Sequence, residues 1–106
     1  MLLNKGAYNG VQVLAPRTVE LMTSGQLDFT FNGVDNFGLG FDITSGKAAA
    51  RDGRNTGSFY WGGFFGTTYW ADPKAKLICL IMTQQVPNSH GDLSKKFEQL
   101  VYQSLK

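Results

Sequence analysis

Residues 57–84, GSFYWGGFFGTTYWADPKAKLICLIMTQ, decide the fold of this chain. They predict three strands, because two runs rich in aromatic residues and one apolar run are separated by turn residues. Three glycines within residues 62–66 permit positive φ or a close backbone approach at the first turn, and residues 72–74, Asp-Pro-Lys, supply the second. The almost unbroken apolar run at 76–83 is typical of a strand covered on both faces. The rest of the chain therefore has to provide a layer above this sheet and a layer below it.

Composition limits the class of protein. The chain has 106 residues, of which 42% are hydrophobic and 13% aromatic, so it can form one small domain with a limited core. Its formal charge is +2, and no basic cluster is longer than Lys95-Lys96, which argues against nucleic acid as a partner. The apolar runs are shorter than the ~20 residues that a membrane span needs. The single cysteine, Cys79, lies in an apolar run and is interpreted as a small buried hydrophobe.

The segments before the three strands predict only thin cover for the sheet. Residues 1–4 are interpreted as the last turn of a helix, which leads us to expect that the chain is part of a longer polypeptide. A helix is predicted over residues 16–23, because proline fits the first helical position. The alternation of large and small residues at 37–43 predicts a strand, and residues 44–55 are interpreted as an exposed hairpin or loop.

The last segment predicts a helix that starts near Asp92, a favourable N-cap residue. The spacing of its apolar residues places one group on the face toward the sheet: Leu93, Phe97, Leu100, Val101 and Leu105. The polar residues are predicted on the opposite face: Lys95, Lys96, Glu98, Gln99 and Gln103. The expected fold class is α+β, an antiparallel sheet of three to four strands with a C-terminal helix on one face. The other face is left with little cover.

No segment carries a complete active site. His90 could act as a base or a metal ligand, but no second histidine or paired carboxylate lies at ligand spacing, so a surface loop position is favoured. Ser45 and Ser58 lack a Gly-x-Ser-x-Gly or Ser-x-x-Lys context that would activate a nucleophile. The scattered acidic residues are interpreted as turn and loop positions: Asp42, Asp52 and Asp72.

Several stretches resemble the carboxy-terminal part of serine β-lactamase-like hydrolases. The resemblance rests on YWGGFFGTTYWADP at 60–73 and LICLIMTQ at 77–84, preceded in the same order by similar stretches at 1–6, 14–22 and 37–41. The nearest branches are class C β-lactamases, family VIII carboxylesterases and their penicillin-binding relatives. This resemblance implies that residues 1–106 are the C-terminal portion of a β-lactamase-like α/β domain. The helical lobe and the amino-terminal strands of that domain would lie in the remainder of the polypeptide.

The resemblance also implies roles for individual residues. Family members acylate a serine in a Ser-x-x-Lys motif, assisted by a Tyr-x-Asn motif, and carry a third motif, Lys-Thr-Gly or a variant, on the strand that lines the pocket. Trp61, Gly62 and Gly63 match the third motif as substrate-binding residues, and the backbone N–H of Phe64 would form part of the oxyanion hole. The first two motifs are absent, so the chain is expected to be inactive alone. No metal or other cofactor is implied.

Trp61 stands where the family's third motif has a lysine. An indole cannot pair with a substrate carboxylate as an ammonium can, which favours uncharged esters over β-lactams or peptidoglycan. A residue that simply packs in the core remains the alternative for Trp61.

The resemblance implies two partners, the amino-terminal remainder of the same polypeptide and a small-molecule ester or β-lactam in the full-length protein. Relatives are often exported, which points to the periplasm or the medium. Uncovered sheet surface would favour homo-oligomers of the chain alone. Two other interpretations stay open. One is a non-catalytic β-lactamase-like segment that binds peptidoglycan or another ligand, and the other is an independent small α+β interaction domain.

Overall fold

The computed structural model describes residues 1–30, 32–87, 89 and 91–105. Within these residues the chain forms a five-stranded antiparallel sheet, a separate two-stranded hairpin and three α-helices. After a 3₁₀ turn at Leu2–Asn4, the elements in chain order are β1 (Ala7–Tyr8), β2 (Val11–Gln12), α1 (Pro16–Met22), β3 (Asn36–Phe37), β4 (Asp42–Ile43), α2 (Gly46–Asp52), β5 (Phe59–Gly62), β6 (Thr68–Asp72), β7 (Leu77–Ile81) and α3 (Leu93–Ser104). This α+β architecture, with the C-terminal helix on the sheet, confirms the predicted fold class.

The three strands predicted within residues 57–84 form β5, β6 and β7, on one side of the sheet. The strand order is β3-β4-β5-β6-β7, and β5, β6 and β7 are joined by tight turns. Asp72 ends β6 and accepts hydrogen bonds from the backbone N–H groups of Lys74 and Ala75, each at 2.9 Å. This Asx turn is the local chemistry that the Asp-Pro-Lys sequence predicts.

Residues 37–43 do not form the single strand that was predicted. They fold back as a hairpin between β3 and β4, in which the Gly38 N–H donates to the carbonyl of Phe41 at 2.8 Å. Gly40 has a φ of 93°, and a Cβ on Gly38 would lie 2.1 Å from the Met22 carbonyl oxygen. The two glycines therefore allow a turn where the alternation of large and small residues had indicated extended backbone. The hairpin gives the sheet five strands rather than three to four.

The prediction of a loop or hairpin over residues 44–55 is also wrong. Helix α2 begins after Ser45, whose side chain accepts a hydrogen bond from the Ala48 N–H at 3.1 Å, and it ends at Gly53 with a φ of 88°. Serine at the N-cap, a run of alanines and a glycine just after the helix are ordinary helix signals. The segment was misread because it is short and lacks an apolar face.

One face of the sheet is covered by α3. Phe97 and Tyr102 pack on Trp70 of β6, with ring centroids 5.6 and 6.5 Å apart. The buried side of α3 differs from the prediction: Glu98 is buried, and Leu100 is 64% exposed. Glu98 is paired with the buried Arg54, a contact from a distant segment that helical periodicity cannot reveal.

The other face of the sheet is covered only in part. Leu2, Leu3 and Phe41 pack against a small core of Ile43, Phe59 and Ala71. Beyond this cover, Ile78 is 66% exposed, Leu80 53% and Met82 78%. The prediction that β7 is covered on both faces is therefore wrong for this chain by itself.

Candidate active-site cleft at the end of strand β5

The Trp-Gly-Gly step closes the hairpin between β5 and β6. Gly63 donates its N–H to the Thr67 carbonyl at 2.7 Å, and Gly66 donates to the Gly63 carbonyl at 3.0 Å, which makes residues 63–66 a tight turn. Position 66 requires a glycine, since the φ of this residue is 88°. Phe64 occupies the second position of the turn and is highly exposed.

The outer edge of β5 is open at this step. Strand β4 pairs with β5 only as far as Tyr60, opposite Asp42. Since Gly63 bonds toward β6, the N–H and C=O of the preceding Gly62 point to the other side, along the unpaired edge. The Phe64 N–H donates to no acceptor among the described residues. The turn therefore presents free backbone groups to a molecule that lies along this edge.

The two glycines of the step are not required by the packing of the chain itself. Neither Gly62 nor Gly63 has a positive φ, so the first of the two predicted reasons for glycine at these positions does not apply. A Cβ on Gly62 would meet the Thr67 carbonyl oxygen at 3.5 Å, and one on Gly63 would meet it at 3.7 Å, both ordinary contacts. The space next to these residues is open in the structure. The structure itself therefore contains no close backbone approach that would explain the two glycines.

Trp61 packs against the protein and keeps part of its surface exposed. Its ring meets the ring of Phe37 edge to face at a centroid distance of 5.4 Å, which is an ordinary aromatic packing geometry. The side chain is nevertheless 40% exposed. Trp61 is thus a wall that is supported by the protein on one side and open on the other.

A cleft of about 390 Å³ adjoins the step. Its lining combines the backbone of the glycines with two aromatic side chains, two hydroxyls and one carboxyl group: Asp42, Tyr60, Trp61, Gly62, Gly63 and Thr68. The sequence analysis found three of these residues through the third-motif resemblance. It did not find Asp42 or Tyr60 as part of the cleft, because β4 reaches β5 through a long-range pairing that has no local signal.

A buried polar network supports β5 directly before the step. The Tyr60 hydroxyl donates to Asp35 Oδ2 at 2.8 Å, and the Arg54 guanidinium lies 3.8 Å from the centre of the Tyr60 ring. Burial raises the pKa of the Tyr60 hydroxyl above its ordinary value, and its hydrogen bond to Asp35 raises it further. Tyr60 therefore stays protonated and keeps donating to Asp35 throughout the physiological pH range.

The other chemical candidates of the sequence have structural places. Ser45 caps α2, and Ser58 is fully buried, so neither is an accessible nucleophile. Asp52 lies at the end of α2, where its hydrogen bond and ion pair with Arg51 lower the pKa of its carboxyl. Cys79 is a half-buried free thiol. His90 lies outside the described residues.

The described residues contain neither a metal-binding cluster nor a membrane-spanning helix. In that part of the chain, no group of three or more His, Cys, Asp or Glu residues is arranged to hold a metal ion. No helix within it has the length and apolar character to cross a bilayer.

The structure combines a five-stranded α+β sheet with an open backbone edge at the end of β5. The family described as Beta-lactamase matches residues 1–103, and the chain belongs to this family. The resemblance to serine β-lactamase-like proteins is therefore confirmed.

Two curated relatives are similar to the chain. It is 36% identical over 105 residues to Protein Rv1367c of Mycobacterium tuberculosis strain ATCC 25618 / H37Rv. The identity is the same to the Uncharacterized protein MT1414 of M. tuberculosis strain CDC 1551 / Oshkosh. Each alignment covers 87% of this chain and 26% of the relative, so the chain spans about a quarter of the length of these relatives.

Solved structures of Aspergillus terreus simvastatin synthase, LovD, share the fold. The LovD9 mutant is 27% identical with a TM-score of 0.73, over 96% of this chain and 31% of the LovD9 chain. The unliganded enzyme is 26% identical with the same TM-score, over 95% of this chain and 31% of its own.

Proposed function

We propose that this chain is the C-terminal segment of a β-lactamase-like serine hydrolase that cleaves esters or β-lactams through an acyl-serine intermediate. The segment supplies the third-motif strand, with Trp61, Gly62 and Gly63 along the substrate and the Phe64 N–H in the oxyanion hole. The nucleophilic serine and its base belong to the remainder of the polypeptide. The segment alone is inactive.

The open outer edge of β5 carries this proposal. An acyl group that is attacked by a serine develops negative charge on its carbonyl oxygen, and a fixed N–H aimed at that oxygen stabilises the transition state. The Phe64 N–H is such a donor, since it is at the start of a closed turn and is not engaged by the described residues. The adjoining glycines leave room for the substrate beside the strand.

Family membership and partial coverage both support a segment that supplies one part of an active site, with the nucleophile elsewhere in the polypeptide. The chain belongs to the β-lactamase family and spans about a quarter of its curated relatives. Neither Ser58 nor Ser45 is available as a nucleophile. A neutral indole at position 61 favours esters without a carboxylate, because it offers no cation to such a group.

The decisive experiment removes the Phe64 N–H and keeps the turn. Proline is favoured at the second residue of a tight turn and has no N–H, so Phe64→Pro in the full-length polypeptide deletes the donor. Phe64→Ala is the matched control, because it removes the same ring and retains the N–H. With p-nitrophenyl butyrate and nitrocefin as substrates, Phe64→Pro should lower kcat by about a hundredfold or more. Phe64→Ala should stay within about tenfold of the unaltered protein.

Three results would contradict the proposal. Equal rates in the two Phe64 variants would show that the N–H does not act on the transition state. Turnover by the 106-residue chain alone would show that it carries its own nucleophile. An inactive full-length polypeptide that lacks a Ser-x-x-Lys motif upstream would favour the non-catalytic, ligand-binding alternative.

A further inference from the structure

The cleft beside the Trp-Gly-Gly step is lined by a carboxyl group, that of Asp42, one of whose oxygens lacks a donor. Asp42 lies opposite Tyr60 in the sheet, so its side chain is on the same face as that of Thr68. The residue is 6% exposed, and its Oδ1 atom is fully buried with no hydrogen-bond donor among the described residues. A buried acceptor that lacks a donor is unfavourable, and native proteins rarely leave one unsatisfied.

The donor groups near Asp42 do not bind its Oδ1 atom. The Tyr60 hydroxyl donates to Asp35 Oδ2 at 2.8 Å and also lies close to the Asp42 carboxyl. Arg54 lies over the Tyr60 ring and forms an ion pair with Glu98, with Nε 3.4 Å from Oε2. Asp42 thus lines the cleft with one carboxyl oxygen, Oδ1, that no described residue binds.

We propose that Asp42 determines substrate specificity in this cleft by accepting a hydrogen bond from an ammonium or other donor group of the substrate and by disfavouring carboxylates. The inference rests on the proposed function, because it takes this cleft to be the place where the substrate lies. It narrows the substrate class to esters whose acyl or alcohol part carries a hydrogen-bond donor, above all a protonated amine.

The rest of the lining supports the same selectivity. None of the six lining residues is cationic, so the lining offers no positive group to a substrate carboxylate next to Asp42. The half-exposed indole of Trp61 offers a π face, which attracts an ammonium group. Burial raises the pKa of the Asp42 carboxyl and nearby Asp35 adds to the rise, while Tyr60 and Arg54 oppose it. The two attractions act on a cation and neither acts on an anion.

The test uses three probes that share a ring and differ in charge: benzylammonium, benzyl alcohol and benzoate. Their dissociation constants are measured near neutral pH by isothermal titration calorimetry on the full-length polypeptide. Benzylammonium should bind about tenfold more tightly than benzoate, a difference of about 1.4 kcal/mol. In Asp42→Asn, which has nearly the same shape, the two constants should come within about threefold of each other. Asp28→Asn is the control, because it removes the same charge from an exposed loop residue.

The inference is overturned if benzoate binds as tightly as benzylammonium, if none of the probes binds, or if Asp42→Asn leaves the ratio unchanged. The order of the probes in the unaltered protein decides the question even if Asp42→Asn fails to fold. Binding needs no turnover, so a protein that hydrolyses no ester would contradict the proposed function and still report on Asp42. A protein that hydrolyses neutral esters but binds the three probes equally would contradict only this inference.

Discussion

At the scale of the residue, Asp72 joins three parts of the chain. One carboxylate oxygen accepts from the Lys74 and Ala75 N–H groups of the turn after β6. The other accepts from the Tyr102 hydroxyl of α3 at 2.6 Å and from the Asn55 amide at 2.8 Å. Asp72 is fully buried, so each lost bond would leave a polar group unsatisfied. A residue that the sequence marked as a turn is also the anchor of the C-terminal helix.

The Asp72→Asn variant tests this role. The amide can still accept from the turn, but its NH₂ group would face the donors of Tyr102 and Asn55, so we expect a loss of about 2 kcal/mol in the free energy of unfolding. Urea unfolding followed by circular dichroism measures it, with the exposed Asp28→Asn as the control. A change below about 0.5 kcal/mol would mean that Asp72 does not hold α3 to the sheet.

Acid should weaken the same anchor. Burial alone would raise the pKa of Asp72, but the hydrogen bonds from Tyr102, Ala75, Asn55 and Lys74 outweigh it and lower the pKa below the ordinary 3.8. A pKa that is lowered by folding contributes stability above the unfolded value, and this contribution is lost as the pH falls through the folded value. We expect stability to decline below about pH 3.8 and the decline to be smaller in Asp72→Asn. Parallel unfolding curves from neutral to acid pH would show it, and identical slopes for both proteins would contradict it.

Glycines in this chain serve two different purposes. Gly38 and Gly66 are needed for folding, because a Cβ on the first would clash with the Met22 carbonyl at 2.1 Å and the second has a φ of 88°. Gly63 has room for a side chain in the structure. Its small size matters only if a substrate lies against it.

Gly63→Val in the full-length polypeptide should therefore abolish hydrolysis without unfolding the protein. We expect kcat/KM for p-nitrophenyl butyrate to fall by about a hundredfold, with a melting temperature close to that of the unaltered protein. Gly46→Val, at the exposed first residue of α2, controls for the substitution itself. An unaltered kcat/KM in Gly63→Val would remove the Trp-Gly-Gly step from the substrate wall.

At the scale of the element, α3 is held to the sheet by an ion pair as well as by aromatic packing. Glu98 on α3 and Arg54 after α2 are both buried, and burial raises the pKa of the Glu98 carboxyl while Arg54 opposes the rise. A buried pair stabilises a protein little compared with apolar residues of the same size, but removing one partner is costly because the other charge remains. The ion pair thus helps to fix the position of α3, because either charge alone would be buried without its partner.

A double-mutant cycle measures this coupling. Arg54→Met and Glu98→Leu should each lower the free energy of unfolding by about 3 kcal/mol, and the double variant should recover most of the loss. Leu100→Ala, on the exposed side of α3, should change stability by less than about 1 kcal/mol. Additive losses in the double variant would show that the pair does not act as a unit.

At the scale of the whole molecule, the sheet has an uncovered apolar region. Ile78, Leu80 and Met82 project from the edge strand β7 onto the face that the amino-terminal residues cover only in part. The segment 77–83 contains no charged residue or proline of the kind that blocks association at sheet edges. We expect the remainder of the polypeptide to cover this region in the full-length protein.

The 106-residue chain alone should therefore self-associate. Sedimentation velocity over a range of concentrations should show dimers or larger species, and Leu80→Lys should shift them toward the monomer by placing a charge on the exposed face. Gln84→Lys, which places the same charge on an exposed residue, is the control. Thr83→Lys is unsuitable, because Thr83 is hydrogen-bonded to Phe65 and Thr67. A monomer with strong amide-exchange protection throughout would instead support an independent small domain.

The sequence by itself determined strands β5, β6 and β7, their turns, the C-terminal helix and the family. Each of these depends on local signals: β-propensity at 59–62 and 68–72, turn chemistry at Asp72, and helical spacing after Asp92. Trp61, Gly62 and Gly63 stand out because the residues of one motif are adjacent in the chain. The placement of Phe64 in the oxyanion hole remains a prediction.

Only the tertiary structure decided which surfaces are covered and which polar groups meet. Asp42 enters the cleft through pairing with β5, and Glu98 is buried because Arg54 reaches it from a segment more than 40 residues earlier in the sequence. Such contacts join residues that are far apart in the sequence and that only the folded chain brings together, so no local sequence pattern predicts them. For β7, the apolar sequence indicates that the strand is buried. It does not indicate whether the residues that cover it are among these 106.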